Sequence, residues 1–199
     1  DYGNVLPSLL LKYNVSDDLK IKAAWSNTLS RPRYFDLVPY RQVKYEAMEI
    51  SIGNPDLVAA TSMNLDLMGE WYLSGLGLVS AGAFYKDIND FFVKRVYFDY
   101  GYEGKEYKTF SQPINGGDAQ LFGFEAAFES RLDFLPGFLA NLGVYTNYTH
   151  TKSKVKNFQL EGRDDDEVQL PGTPEHAFNA SLDYESKKLG TTIKQGIWT

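Results

Sequence analysis

Hydrophobic and polar positions alternate with a period of two along many stretches of this chain, and helical periodicity is nearly absent. In the first stretch, Leu9, Leu11 and Tyr13 share one side of an extended chain, while Lys12 and Asn14 share the other. Alternation of this kind, less regular over 77–88, predicts strands over 8–15, 19–26, 61–73, 77–88, 122–131, 142–149, 178–184 and 190–199. We therefore predict an all-β chain of about eight strands.

These strands are long, and their connections alternate between short and very long. Strands of soluble proteins are usually about 5–6 residues, whereas tilted strands that cross a bilayer need about 9–11. Short turns are predicted at Ser16–Asp18, Ser74–Gly77, Leu135–Gly137 and Lys187–Gly190, and long excursions at 29–60, 96–117 and 152–173. Short turns on one rim and long loops on the other favour an antiparallel up-and-down meander in the wall of a transmembrane β-barrel.

A soluble β-sandwich is the alternative, because its strands also alternate between an apolar inner face and a polar outer face. Large aromatic residues near the ends of the predicted strands favour the membrane reading, since such barrels carry aromatic girdles at both interfaces. The positions concerned are Tyr13, Trp25, Trp71, Tyr148 and Tyr184.

Composition removes several other classes of protein. The 199 residues include 14 Tyr, 13 Phe and 3 Trp, no Cys, and no run of apolar residues long enough for a transmembrane helix. The absence of Cys excludes disulfide scaffolds and zinc ribbons within this chain. A net charge of −6 with no basic stripe argues against a nucleic-acid partner.

Seven short strings follow one another in an informative order and spacing. They are NVLPSL at 4–9, SRPRYFDLVPY at 30–40, GNPDL at 53–57, QPING at 112–116, GFE at 123–125, NYT at 147–149 and LPGTP at 170–174. With them, the chain from Asn4 to about Tyr184 resembles the carboxy-terminal part of the β-barrel of TonB-dependent outer-membrane receptors.

This resemblance implies a plugged barrel of about 22 strands, of which eight are about a third. Residues 1–199 would then be one partial barrel domain, with the plug, the energy-coupling segment and the closing strand lying elsewhere in a longer protein. The implied location is the outer membrane, and the implied function is the binding and import of a scarce solute. The implied partners are membrane lipid, that solute and the TonB complex, reached through the plug. No cofactor, enzymatic activity or transport by this piece alone is expected.

The string at 30–40 gives the candidate ligand-binding residues: Arg31, Arg33, Tyr34, Asp36, Tyr40 and Arg41. Arginine grips carboxylate or phosphate groups, and aromatic rings stack on ring systems or sugars. A structural role is the favoured alternative, with prolines stiffening the loop and the arginines paired to Asp36 and Glu46. Substrate choice is then expected in the loop tips at 41–50, 97–108 and 155–168.

Polar positions of the predicted strands form a second group, expected to face the lumen of a complete barrel. They are Lys20, Lys22, Asp66, Glu70, Glu125, Glu129 and Asp183. In a sandwich the same residues would simply face solvent.

Candidate chemistry is sparse. His150 and His176 lie near strand ends, and neither has a second ligand at metal spacing. Asp164–Glu167 is an acidic run that calcium could occupy, but it lacks the spaced ligands of an EF-hand and reads as a solvated loop.

Two function classes besides the receptor stay open. The first is a soluble, secreted β-sandwich or jelly-roll module that binds carbohydrate. The second is a barrel enzyme of the outer membrane, against which stands the lack of a nucleophile motif. Siderophore, cobalamin, glycan and peptide all remain possible ligands of the receptor.

Overall fold

The computed structural model describes residues 3–74, 77–156, 169–170, 172–186 and 191–198. The strands are β1 Ser8–Asn14, β2 Leu19–Ser30, β3 Arg41–Lys44, β4 Glu49–Ile52, β5 Ala60–Leu73, β6 Gly77–Asn89, β7 Phe92–Tyr102, β8 Lys105–Asn115, β9 Asp118–Arg131, β10 Leu142–Lys156, β11 His176–Ser186 and β12 Thr191–Trp198. One helical turn, α1, spans Tyr34–Leu37, and a 3-10 helix spans Gly137–Asn141. No helix in these ranges is long and apolar enough to cross a membrane.

Eight of the strands form one antiparallel sheet in the order β1-β2-β5-β6-β9-β10-β11-β12. Each strand pairs with the next strand of the predicted meander, which confirms the predicted fold class. The strands run longer than predicted at the ends that lead into the long excursions: β2 continues to Ser30 and β10 to Lys156. The predicted turn at Leu135–Gly137 is a longer connection, because the 3-10 helix intervenes before β10.

The long excursions at 29–60 and 96–117 are not plain loops, and here the sequence prediction is incomplete. They contain β3, β4, β7 and β8, which form a second sheet in the order β3-β4-β8-β7. The second excursion also begins earlier than predicted, because β6 ends at Asn89. The predicted tips at 41–50 and 97–108 therefore lie in one four-stranded loop sheet.

The pairing of β4 with β8 is parallel, with Ile50 opposite Phe110. It departs from the predicted antiparallel pattern because the two strands come from different excursions and no hairpin fixes their direction. Ile50, Ile52, Tyr107 and Phe110 form a buried cluster on this sheet. The Tyr100 and Phe110 rings stack with centroids 4.5 Å apart. The loop sheet thus has a hydrophobic core of its own.

The strings GNPDL and QPING meet the string at 30–40 at the base of the loop sheet. The backbone N–H of Asn54 donates to the Asp36 carbonyl at 2.6 Å, and the Asn54 side-chain amide donates to the Pro113 carbonyl at 3.1 Å. The Asn115 amide donates to the carbonyls of Val58 and Asp90 at 3.1 and 2.8 Å. These strings therefore join three segments that are distant in sequence.

Gly53 is required by this junction for steric reasons. A Cβ atom at residue 53 would lie 2.0 Å from the Val38 carbonyl oxygen, far inside van der Waals contact. The neighbouring atom belongs to the backbone, so no side-chain rotation relieves the clash.

The eight-stranded sheet has two chemically different faces. Registered pairs place Leu11, Ala23, Leu67, Ala83 and Phe124 side by side on one face. Leu67 is 56% exposed and Phe122, on the same face, is 53% exposed. An open groove of about 590 Å³ runs over this face. Among the described residues no second sheet covers it, as a β-sandwich would require.

We predict that Leu67→Arg destabilises the intact barrel by about 2–4 kcal/mol in a bilayer, because a charge at mid-strand on the apolar face enters hydrocarbon. Met68→Arg is the matched control: it is the next residue, at the same depth on the opposite face, between Lys22 and Gly82. Urea unfolding of both variants in lipid vesicles measures the difference. Equal losses would contradict the assignment of the faces.

We predict that Gly53→Ala loosens the junction below the loop sheet and makes residues 31–59 more sensitive to protease on intact cells. Overpacking of this kind costs about 1–3 kcal/mol. Gly101→Ala is the control, since its Cβ would meet only the flexible Glu106 carboxylate, at 3.3 Å. Cleavage of both variants at the wild-type rate would show that the contact with Val38 is not limiting.

Candidate functional site

The structure places all seven predicted lumen residues on one face of the eight-stranded sheet. Lys20 is opposite Glu70, and Asp66 is opposite Ala24. Lys22 is opposite Met68, Met68 is opposite Gly82, and Gly82 is opposite Glu125, so that Lys22 and Glu125 lie in one row on the same face. Glu129 and Asp183 have the same parity on β9 and β11. We call this face the polar wall.

Glu70 is a buried acid of the polar wall that two neighbouring side chains hold. It is buried, forms an ion pair with Lys22, and accepts a hydrogen bond from the Tyr72 hydroxyl at 2.9 Å. The Lys20 ammonium lies 4.0 Å from the centre of the Tyr72 ring. Burial of a carboxylate is tolerated only where such partners compensate for lost hydration. This group links β2 to β5.

A second charged group lies on β9 and β11. Arg131 forms an ion pair with Glu185 and lies 4.0 Å from the Asp183 carboxylate. Gly143 lies between Arg131 and Asp183 in the register, and a Cβ there would be 2.4 Å from the Asp183 carboxylate oxygen. The glycine therefore gives the acid room beside the arginine. The sequence analysis did not name Arg131, Glu185 or Tyr72 as site residues. The alternation along their strands could have placed them on the polar face.

The string at 30–40 lines a cleft of about 630 Å³ beside the loop sheet, which we call the loop cleft. Its walls include Tyr34, Phe35 and Tyr40 together with Ile52 and Pro113. The three aromatic side chains are largely exposed, Phe35 to 86%. Exposed aromatic rings around a concave surface are suited to stacking on a planar ligand.

The arginines around the loop cleft are held by acids. Arg33 Nε donates to Asp36 Oδ2 at 2.8 Å, and this hydrogen bond raises the pKa of the guanidinium above its usual value. Arg41 forms an ion pair with Glu103 of the β7–β8 turn, which likewise raises its pKa. The expected pairing with Asp36 is confirmed. For Arg41 the partner is Glu103, from the second excursion, and not the expected Glu46.

His150 and His176, which have no second ligand at metal spacing along the sequence, are adjacent in the structure. They face each other across β10 and β11 with ring centroids 4.7 Å apart, and Glu175 is beside them. Sequence spacing could not reveal this pair, because 25 residues separate the two histidines and only strand register joins them. Asp164–Glu167 and most of the tip at 155–168 lie outside the described residues.

Comparisons with known proteins agree with this architecture. The family model described as TonB dependent receptor-like, β-barrel matches residues 1–199. No curated protein matches the chain significantly.

Three solved structures illustrate the likeness. The siderophore receptor PirA from Pseudomonas aeruginosa is 19% identical, with a TM-score of 0.69, over 98% of this chain and 34% of its own. A variant of the ferric enterobactin receptor PfeA from the same organism, in complex with enterobactin, is 17% identical, with a TM-score of 0.64, over 97% and 32%. The FrpB iron transporter from Neisseria meningitidis is 14% identical, with a TM-score of 0.56, over 96% and 26%.

The present chain therefore spans about a third or less of the length of these structures, all of which share its fold. The family match covers the whole chain, and the two-faced sheet is of the kind that an outer-membrane barrel requires. The chain belongs to the β-barrel family of TonB-dependent receptors of the outer membrane.

Proposed function

We propose that this chain forms part of the wall of a receptor that binds a scarce solute at the cell surface and imports it. The family match over residues 1–199 is the observation that carries the proposal. We propose further that the chain is a single partial barrel domain and acts in transport, not as an enzyme. By itself it would transport nothing, since an open sheet encloses no path.

The exposed apolar face supports a membrane environment over a soluble binding module. Leu9, Leu65, Trp71 and Leu182 on this face are all exposed. A soluble sandwich buries such a face against a second sheet, and a bilayer covers it with lipid tails. Membrane lipid is therefore the first partner that we propose.

The polar wall would face the lumen, where family members carry a plug. In this wall Glu70 is buried and already paired with Lys22, whereas the exposed Glu129 would be free to contact the plug or the passing solute. Energy coupling would reach the barrel through that plug and the TonB complex.

A ferric siderophore is the first candidate for the solute, with cobalamin and glycans as alternatives. Two of the similar structures are described as siderophore or ferric enterobactin receptors, and the third as an iron transporter. The loop cleft supports this choice, because its exposed rings suit the flat aromatic groups of a catecholate chelator.

Within the loop cleft, we assign the contacts with solute chiefly to Tyr34 and Tyr40. Arg33 and Arg41 are charged, but each is already paired with a carboxylate. An anionic solute would therefore have to share each guanidinium group with that carboxylate. Asp36 orients Arg33, and Arg31 lies at the entrance to the same loop. These roles follow from exposure and charge.

We predict that the double variant Tyr34→Ala/Tyr40→Ala lowers the affinity of uptake about tenfold, since each lost stacking contact is worth about 0.5–1.5 kcal/mol. Uptake of enterobactin loaded with radioactive iron, measured in cells that depend on this receptor, gives the apparent affinity. Phe134→Ala is the control, because Phe134 is equally exposed but lies in the connection between β9 and β10 at the opposite end of the sheet.

Two outcomes distinguish an error in the choice of solute from an error in the proposed transport function. If deleting the receptor leaves uptake of ferric enterobactin unchanged, the choice of this siderophore is wrong. If cells import neither a ferric siderophore nor cobalamin, a glycan or a peptide through this receptor in a TonB-dependent way, the proposal of a transporter fails.

A further inference from the structure

We propose that His150, His176 and Glu175 form a binding site for a divalent transition-metal ion, at the end of the sheet where β11 begins. One ligand atom from each residue lies within 4.8 Å of the other two. This site is separate from the loop cleft and the polar wall, and it does not depend on which solute the receptor imports.

Strand register brings the three residues together. His150 and His176 are directly opposite each other on β10 and β11. The backbone carbonyl of Glu175 accepts a hydrogen bond from the Thr151 N–H at 2.9 Å, which continues the ladder by one residue. The backbone therefore holds the three residues side by side before any ion binds.

Hydrogen bonds leave the same ring nitrogen of each histidine available. Nδ1 of His150 lies 3.1 Å from the Glu175 carbonyl oxygen. Because a carbonyl only accepts, Nδ1 carries the proton and Nε2 presents its lone pair. Nδ1 of His176 lies 2.7 Å from the Tyr148 hydroxyl. When His176 Nδ1–H donates to that hydroxyl oxygen, Nε2 of His176 also presents its lone pair. Metal-binding histidines commonly have their second nitrogen held by a carbonyl or another polar group, which orients the ring.

The ligand set identifies the class of ion. Two imidazole nitrogens and one carboxylate suit zinc or copper, whereas calcium and magnesium prefer oxygen ligands only. The Nε2 atom of His176 is 4.0 Å from Glu175 Oε1. Ligands about 2.1 Å from a common ion lie at most about 4.2 Å apart, so small rotations of exposed side chains close the site. Three protein ligands leave a fourth position for water.

The location gives the site a structural consequence. β11 has 11 residues, about the length needed to cross a bilayer, and His176 is its first. β10, by contrast, continues past His150 to Lys156 and remains paired with β9 there. A bound ion would therefore fasten the first residue of β11 to β10, at the point where the pairing of these two strands begins.

An aromatic belt is the competing explanation for these side chains. The Phe124 and His150 rings are 5.3 Å apart, and Tyr148 stacks on His176. Rings with polar groups are common at membrane interfaces without any ion. The two explanations differ in whether the histidines bind metal, and that can be measured.

The test uses the full-length receptor in detergent, with Zn²⁺ alone in titration calorimetry and Cu²⁺ alone in electron paramagnetic resonance. We expect one ion per receptor at this site and a copper spectrum split by two nitrogens. His150→Gln/His176→Gln should lower the affinity at least a hundredfold and abolish the nitrogen splitting. Glu175→Gln should weaken binding while both nitrogens remain coordinated.

Two further variants make the result specific. Tyr148→Phe removes the hydroxyl that orients His176 and should weaken binding by about tenfold or more. Asp133→Asn removes an exposed carboxylate from the connection between β9 and β10, at the opposite end of the sheet, and should change nothing. Unchanged zinc affinity and unchanged nitrogen splitting in the double histidine variant would overturn the proposal and leave the aromatic belt.

Discussion

A single constraint organises this protein: one sheet carries a polar face and an apolar face, and the apolar face has no protein cover among the described residues. Most strands of the eight-stranded sheet alternate in the same phase: Trp25, Leu65 and Tyr85 form one registered row, although exceptions such as Asp66 opposite Phe84 occur. A slip of one residue in any pair would move a strand's apolar side chains into the polar wall. The register is therefore fixed by the same pattern that separates lipid from lumen.

The loop sheet shows how long connections are kept in a defined conformation outside the barrel wall. Its core of Ile50, Ile52, Tyr107 and Phe110 is more deeply buried than most side chains of the barrel wall itself. Two excursions supply the strands, and Asn54 and Asn115 bridge them at the base. Three of the strings that carry the family resemblance, at 30–40, 53–57 and 112–116, thus form the base of this loop sheet. They place the aromatic side chains of the loop cleft, which is where we propose that a solute binds.

The barrel strands could be predicted from the sequence because a two-residue period is a local signal. Leu65, Leu67 and Trp71 against Asp66 and Glu70 identify both a strand and its faces without knowledge of its partners. The loop sheet could not be predicted in this way. The pairing of Ile50 with Phe110 joins residues 60 positions apart in two different excursions, and parallel pairing leaves no turn signal between the strands.

The same distinction between local signals and long-range contacts applies to the candidate site. The seven predicted wall residues share one face because they have the same parity along their strands, and the structure places them on one face of the sheet. The pairing of Arg41 with Glu103 and of His150 with His176 depends on contacts across strands. Spacing along the chain carries no information about such contacts. Sequence patterns therefore identified the wall residues, whereas the long-range partners required the register.

The central claim is that the two faces of this sheet meet lipid and lumen. The most direct measurement is spin labelling of Leu65→Cys, Asp66→Cys, Leu67→Cys and Met68→Cys, one at a time, in the receptor reconstituted into vesicles; this chain contains no other cysteine. Labels at 65 and 67 should collide more with dissolved oxygen than with a water-soluble nickel complex, and labels at 66 and 68 should show the opposite preference. Accessibility that does not alternate, or that alternates in the opposite phase, would contradict the account.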